Sequence, residues 1–289
     1  VILMVLLYIP PVQNLLRREV TAYASKATGM QIQVERIDLR FPLNLLVRGV
    51  EVIQQPDTLL SLESLNVRVQ AWPLLKGKVE VDEVTLSQVA VNSANLIEGM
   101  QIKGVLGRFF LQSHGVDLSN ETAVVNRTEL SDTHIQLLMT DTTTTPKDTT
   151  ASAPVNWKVN LHQLKLKNVS FGMKLPADSM KMAAYIGEAT IDDAKADLKN
   201  QFYGLKQFLL SGASASYDTG EAQPSEGFDA SHMAVRNIRI GLDSLLYEGR
   251  NMNAVIREIT MEERSGLSIT SLTGRLFSND SIIRIPELK

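Results

Sequence analysis

The sequence predicts a mainly β protein: an elongated, curved antiparallel sheet whose apolar side forms a groove, with one short helix near the N-terminus. Two observations carry this. Apolar and polar residues alternate with a period of two over most of the chain, which gives each strand one greasy and one wet face. Turn signals rich in Gly, Pro, Asn and Asp separate about a dozen such stretches, as in all-β architectures. Of the 289 residues, 44% are hydrophobic and 21% charged, so there is enough apolar material for a globular protein. The length allows one elongated domain or two compact ones.

The net charge of -3, with basic residues scattered, gives no footprint for nucleic acid. Cysteine is absent, which excludes disulfides and thiolate metal sites.

Residues 1–9, VILMVLLYI, are uninterrupted apolar sequence. Nine helical residues rise only about 13 Å, whereas a bilayer span takes about 20 residues. Residues 1–12 are therefore expected to be the C-terminal half of a membrane anchor helix, with Ile2, Leu3, Val5, Leu6, Leu7 and Ile9 facing lipid. An apolar first strand and a signal peptide are the competing readings. Pro10 and Pro11 are expected to end or kink this segment.

Residues 13–29 read as an amphipathic capping helix. Leu15, Leu16, Val20, Tyr23, Ala24 and Ala27 form one stripe and Gly29 suits the C-terminal cap. The stripe is expected to plug one end of a sheet.

Residues 30–139 give the first part of the β-groove. Met30, Ile32 and Val34 alternate with polar residues, and the apolar parity then slips by one to Ile37, Leu39 and Phe41, which implies a bulge at Glu35 and Arg36 or a change of face. Residues 45–53 form a further strand. The clearest unit is residues 59–91, LLSLESLNVRVQAWPLLKGKVEVDEVTLSQVAV. Leu60, Leu62, Leu65, Val67 and Val69 lead into a bend at AWPLLKG, and Val79, Val81, Val84 and Leu86 return. This predicts an antiparallel hairpin solvated on one side. Strands at 102–111, 116–118, 123–130 and 134–139 follow.

Residues 140–154, TDTTTTPKDTTASAP, are expected to form a disordered Thr-rich loop, because they offer almost no apolar area to offset ordering entropy. Residues 155–289 repeat the earlier pattern and continue the groove. Val159, Leu161, Leu164 and Leu166 lie on one such strand, again with a parity slip, and Ile238, Ile240 and Leu242 on another. Residues 205–217 fit helix or strand, with the SGASASYD ending favouring strand, and the last strand is expected at 282–288. A loose echo of the 59–91 unit recurs from residue 230.

No phosphate-cradling or nucleophile-elbow motif occurs. His114, His134, His162 and His232 are dispersed, which suits solvated or satisfied structural histidines. The carboxylate pairs Asp192, Asp193 and Glu262, Glu263 read as solvated faces rather than acid–base machinery. No catalytic residue, cofactor or metal is expected. Asp-Ser/Thr-X triplets recur at Asp57, Asp141, Asp148, Asp178, Asp243 and Asp280. They resemble an O-glycosylation acceptor of exported bacterial proteins, with Thr142 and Thr149 the best placed, and turn chemistry accounts for the same pattern.

The run from Val67 to Leu86, in which an alternating strand enters Trp-Pro-Leu-Leu-Lys-Gly and a strand beginning Lys-Val-Glu-Val leaves it, resembles the N-terminal region of AsmA-like proteins. Within that family the likeness is to the branch that serves the translocation and assembly module. The resemblance implies an inner-membrane-anchored periplasmic protein with a β-taco groove that carries phospholipid between membranes or supports outer-membrane assembly. The implied partners are phospholipid acyl chains, the inner membrane, and an outer-membrane barrel reached by a C-terminal region beyond this sequence. A structural β-solenoid or scaffold that aids outer-membrane protein insertion without lipid is the alternative. On the groove reading, the sixteen apolar residues from Leu60 to Leu86, Val159 to Leu166 and Ile238 to Leu242 named above would meet the lipid.

Overall fold

The computed structural model describes residues 10–70, 80–94, 96–97, 99–117, 120–139, 156–220 and 223–289. One helix, α1 (Pro10–Thr28), precedes fifteen strands. The first six are β1 (Gln31–Arg40), β2 (Asn44–Gln54), β3 (Asp57–Val69), β4 (Val81–Asn92), β5 (Met100–Asp117) and β6 (Thr122–Met139). Then come β7 (Lys158–Leu175), β8 (Met180–Asp197), β9 (Phe202–Leu205), β10 (Gln207–Asp218), β11 (His232–Glu248) and β12 (Asn251–Glu263). The short β13 (Ser268–Ile269), β14 (Gly274–Ser278) and β15 (Ile283–Arg284) finish the chain.

All fifteen belong to one sheet, ordered almost as in sequence: β1 to β8 side by side, then β10, β11, β12, β14 and β15. The fold class is mainly β, as predicted. The sheet is nevertheless mixed rather than antiparallel, because β6 and β7 pair in parallel, Thr122 with Lys158 through Leu138 with Lys174. The chain between them leaves β6 at one end of the strands and re-enters β7 at the other, which is what a parallel pair requires. That connection contains the Thr-rich stretch 140–154, which lies outside the described residues, as do the bend at Trp72 to Gly77 and Val79.

Several expected strand pairs are single long strands. Segments 102–111 and 116–118 merge into β5, 123–130 and 134–139 into β6, and the stretch after residue 155 into β7, each 18 residues long. The reason lies in the parity slips, which are bulges within strands and not strand ends. In every ladder from β1 to β8 pairing skips one position, Glu35 opposite Gly49, then Glu63, Gln88 and Gly107, then Asp132, Asn168 and Gly187, and on to β10 it skips two, with Ile186-Gly187 opposite Gly212-Ala213. Together they draw a crease across nine strands. Gly49, Gln88, Asp132, Asn168 and Gly212 take positive φ between 50° and 61°.

At this crease each strand spends two adjacent polar residues or glycines, for example Glu63-Ser64, Ser131-Asp132 and Lys167-Asn168. Apolar residues then recur three apart instead of two: Leu62 and Leu65, Leu106 and Phe109, Leu166 and Val169. The extra residue keeps the greasy side chains on one face while bending the strand. Close approach fixes the residue type at Gly107, where an added Cβ would lie 2.7 Å from Asp132 Cβ and 2.9 Å from its carbonyl oxygen.

Helix α1 contacts β1 at the edge of the sheet. Leu15 and Tyr23 of the expected stripe are 57% and 76% exposed, and polar side chains contribute to the contact. Gln13 Nε2 donates to the Leu39 carbonyl at 2.9 Å, Arg17 Nη1 to the Glu35 carbonyl at 2.6 Å, and the Ile32 amide to Ser25 Oγ at 3.1 Å. Edge backbone groups that would otherwise template another chain are thereby satisfied. Pro10 and Pro11 are the first residues of the described helix, where the first turn needs no amide donor from them; the segment they are expected to end or kink lies outside the described residues. At the other end, the strand expected at 282–288 shrinks to the two residues of β15, which pair only with Phe277 and Ser278.

Candidate functional site: an uncovered apolar face

Residues paired across a ladder point to the same face, so the register turns the alternation into rows. One row runs Ile37, Val47, Leu65, Leu86, Phe109, Leu130, Leu166, Ala189, Leu210, Ile240 and Ile259. The next runs Leu39, Leu45, Val67, Val84, Leu111, Thr128, Leu164, Ile191, Phe208, Leu242 and Ile256. Each crosses eleven strands, so at about 4.8 Å per strand each is about 48 Å long. Beyond the crease, Leu60 pairs with Val91 and Leu62 with Val89, opening two further rows. Val159 pairs with Ala196, Leu161 with Ala194, Val69 with Val81 and Ile238 with Ala213.

All the sequence-predicted groove residues that are described therefore fall into aligned rows, and each is half-buried. Val79, the anchor residues Ile2, Leu3, Val5, Leu6, Leu7 and Ile9, and the acceptor candidates Thr142 and Thr149 lie outside the described residues. Among the described residues seven hydrophobic ones are fully buried, Leu59, Val125 and Ile256 with the alanines Ala123, Ala189, Ala213 and Ala254. Among the described residues no side chain falls below 2% exposure. A closed barrel or sandwich seals its Leu, Ile and Phe side chains against a facing layer; here they stay partly open. Val91, Ile135, Phe171 and Met182 are 37–40% exposed, so this face is most open toward the ends of β4 to β8 beyond the crease.

The opposite face is polar. Arg48, Ser64, Ser87, Arg108, Ser131, Lys167 and Glu188 make one row. A second crease crosses it at Asn126, His162 and Asp193, where pairing again skips. Here His162 Nδ1 lies 3.2 Å from Asp193 Oδ1 while the adjacent Gln163 donates to Asp192 Oδ1 at 3.1 Å. Neighbours in sequence thus project from the same side, which is the bulge geometry read directly from side chains. The His162 hydrogen bond, and then the Lys206 ammonium 3.6 Å away, hold the Asp193 carboxyl below its usual range.

Each histidine has a partner: His114 with Asn126, His134 with Ser170 and Gln136, His162 with Asp193, and His232 with Asp229. Glu262 faces Arg236 on the surface, but Glu263 departs from the solvated reading. It is 6% exposed, and its carboxylate accepts the amides of Ala234 and Ser265 to close the turn after β12. The Asp-Ser/Thr triplets are not uniformly turns either, because Asp243-Ser244 lies inside β11 at a register shift.

Asp229 fastens the loop before β11. Its carboxylate accepts the amides of Ser225 at 3.0 Å and Ser231 at 2.9 Å, with His232 Nδ1 at 3.0 Å. The two amides, then the histidine, push its pKa well below the usual carboxylate range. A depressed carboxylate stabilises the fold above its unfolded-state pKa, about 3.9, and loses that contribution as pH falls toward the folded-state value. The Asp229→Asn variant is therefore expected to melt below wild type at pH 7, with the gap closing as pH falls from 4 toward 2. A constant gap in thermal melts across that window would refute the assignment.

A cavity of about 1200 Å³ opens near the far ends of β5 to β12, bounded in part by Lys103, Lys174, Lys181 and Tyr185. Sequence reasoning missed it, since its residues are brought together only by the register of the seven strands β5 to β8 and β10 to β12. Among the described residues no helix is long and apolar enough to cross a membrane. No protein-family model matches this chain, and no curated protein matches it.

Proposed function

We propose that this protein carries phospholipid, with acyl chains lying along the apolar rows and headgroups left in water at the strand ends. The reading is that of a non-enzymatic, TamB-like member of the AsmA-like proteins, anchored in the inner membrane of a Gram-negative envelope and extending into the periplasm to support outer-membrane assembly. One observation supports it most: an apolar face eleven strands wide whose large side chains, Ile256 apart, are left half-buried. Sheltering hydrocarbon is worth about 0.8 kcal/mol per CH₂, so a 16-carbon tail in water costs about 13 kcal/mol. A continuous greasy surface lowers that barrier with no catalytic residue and no cofactor.

The test uses photo-crosslinking residues in protein purified through delipidating washes. Probes at Val67, Val81 and Leu86 are expected to capture phospholipid, and probes at Arg68 and Glu80 are not. Capture from the polar positions alone would leave the scaffold reading, in which these apolar faces pack only against protein.

A further inference from the structure

The polar face carries a cavity that the apolar rows do not explain. Its floor is a ladder row of small residues, Gly172, Ala183, Ser216 and Ala234 on four adjacent strands. A Cβ placed on Gly172 would find nothing nearer than Gln136 Cγ at 3.9 Å and the Met182 carbonyl at 4.0 Å, so the space above it is real. Its polar wall is the row His134, Ser170, Tyr185 and Ser214, and Tyr185 is 40% exposed.

The opposite wall holds an electrostatic anomaly. Lys174 and Lys181 sit directly opposite each other on β7 and β8, an arrangement in which like charges destabilise a sheet. Lys103 joins them at the cavity. Among the described residues no ion pair reaches any of the three lysines. The other charges are engaged: Arg236 with Glu262 at 3.0 Å, Arg264 with the His232 carbonyl at 2.6 Å, and Glu263 with backbone amides. That leaves three ammonium groups against the single carboxylate of Asp218, which is cross-strand to Lys181. Directly opposed side chains start about 5 Å apart, so one phosphate can accept from both lysines through charge-assisted hydrogen bonds.

We propose that this cavity binds a phosphate-bearing amphiphile, with its phosphate between Lys174 and Lys181 and its apolar body against Tyr185, Leu138 and Ala183 over the Gly172 floor. About 1200 Å³ exceeds the roughly 300–1,000 Å³ of sites for drug-sized ligands, which suits a ligand with a hydrocarbon part. The site is on the face opposite the apolar rows and does not depend on lipid lying there.

Calorimetric titration of the whole protein with monomeric dihexanoyl phosphatidate tests this, with inorganic phosphate and dihexanoylglycerol as comparison probes. Phosphatidate is expected to bind at least about tenfold more tightly than either probe, and more weakly as salt screens the lysines. The double variant Lys174→Glu, Lys181→Glu and the cavity-filling Gly172→Leu are each expected to weaken it at least about tenfold. Lys174 and Lys181 are exposed, so the charge-reversed protein is expected to keep its melting temperature. Repeating the titration on Leu166→Glu, altered on the other face, separates the two proposals: the cavity keeps its affinity there whether or not the apolar rows carry lipid. Wild-type affinity in the double variant or in Gly172→Leu, or equal binding of inorganic phosphate or dihexanoylglycerol, would overturn the assignment.

Discussion

Deleting Asn168 is expected to prevent this protein from folding, although the residue is a solvated asparagine with one side-chain bond, to Asp132 at 2.8 Å. Its role is positional. Asn168 is the extra residue of β7 at the first crease, with φ of 54°. Without it, Val169, Phe171 and Met173 fall out of phase with Leu164 and Leu166 and turn to the polar face, because a one-residue slip reverses every side chain beyond it. Moving three such half-buried side chains to the wrong side costs about 3–6 kcal/mol, a large part of the 5–15 kcal/mol that typically separates folded from unfolded domains. Substitution should act differently from deletion. Asn168→Gly is expected to be close to neutral, since glycine adopts positive φ freely. Asn168→Val should cost about 1–2 kcal/mol, since a β-branched residue resists that conformation. Soluble yield and urea denaturation of the three variants rank them. A deletion variant as stable as wild type would show that the crease does not set the phase.

Glutamate at Leu166 is expected to strip the protein of bound lipid while leaving it folded. Leu166 lies mid-row between Leu130 and Ala189, and its half-exposed setting lets a carboxylate reach water when no lipid is present. An acyl chain crossing that row would have to lie over the charge and desolvate it, at a cost of several kcal/mol. Phospholipid that copurifies with the protein is therefore expected to fall at least about tenfold, a difference equivalent to about 1.4 kcal/mol. The control is Thr190→Glu, which sits beside Lys165 on the polar face and should retain wild-type lipid. Equal lipid in both variants, measured by mass spectrometry after the same washes, would remove the apolar rows as the carrying surface.

The parity slips show how far the sequence could be read. The slip from Val34 to Ile37 is visible in the residues and reads as a bulge or a change of face; the register decides for the bulge. In β5 the slip at Gly107-Arg108 lies inside the expected strand 102–111, and the expected break at 112–115 falls where the ladder to β6 shifts again. The equivalent slip in β6 falls between two expected strands, because Ser131-Asp132 has the composition of a turn and one strand alone does not distinguish a turn from a bulge. Neighbouring strands do, because Gln88, Gly107 and Asp132 lie opposite one another in successive ladders. Two residues of the helix stripe depart from the expected packing: Leu15 and Tyr23 have the right spacing but stay exposed, while Gln13, Arg17 and Ser25 bond to the backbone edge of β1.

By itself, the sequence determined the face to which most side chains belong, because period-two alternation with occasional three-residue steps admits one arrangement with most of the apolar residues on the same side. That was enough to specify a β protein and to pick groove residues that later fell into common rows. Tertiary structure alone decided which strands are neighbours. It set the parallel joining of β6 to β7, the alignment of separate bulges into a crease, and the meeting of Lys174 with Lys181 over Gly172. The physical reason is that facing is a local property of backbone geometry, whereas register is fixed by hydrogen bonds between segments distant in the chain, which no single stretch of sequence encodes.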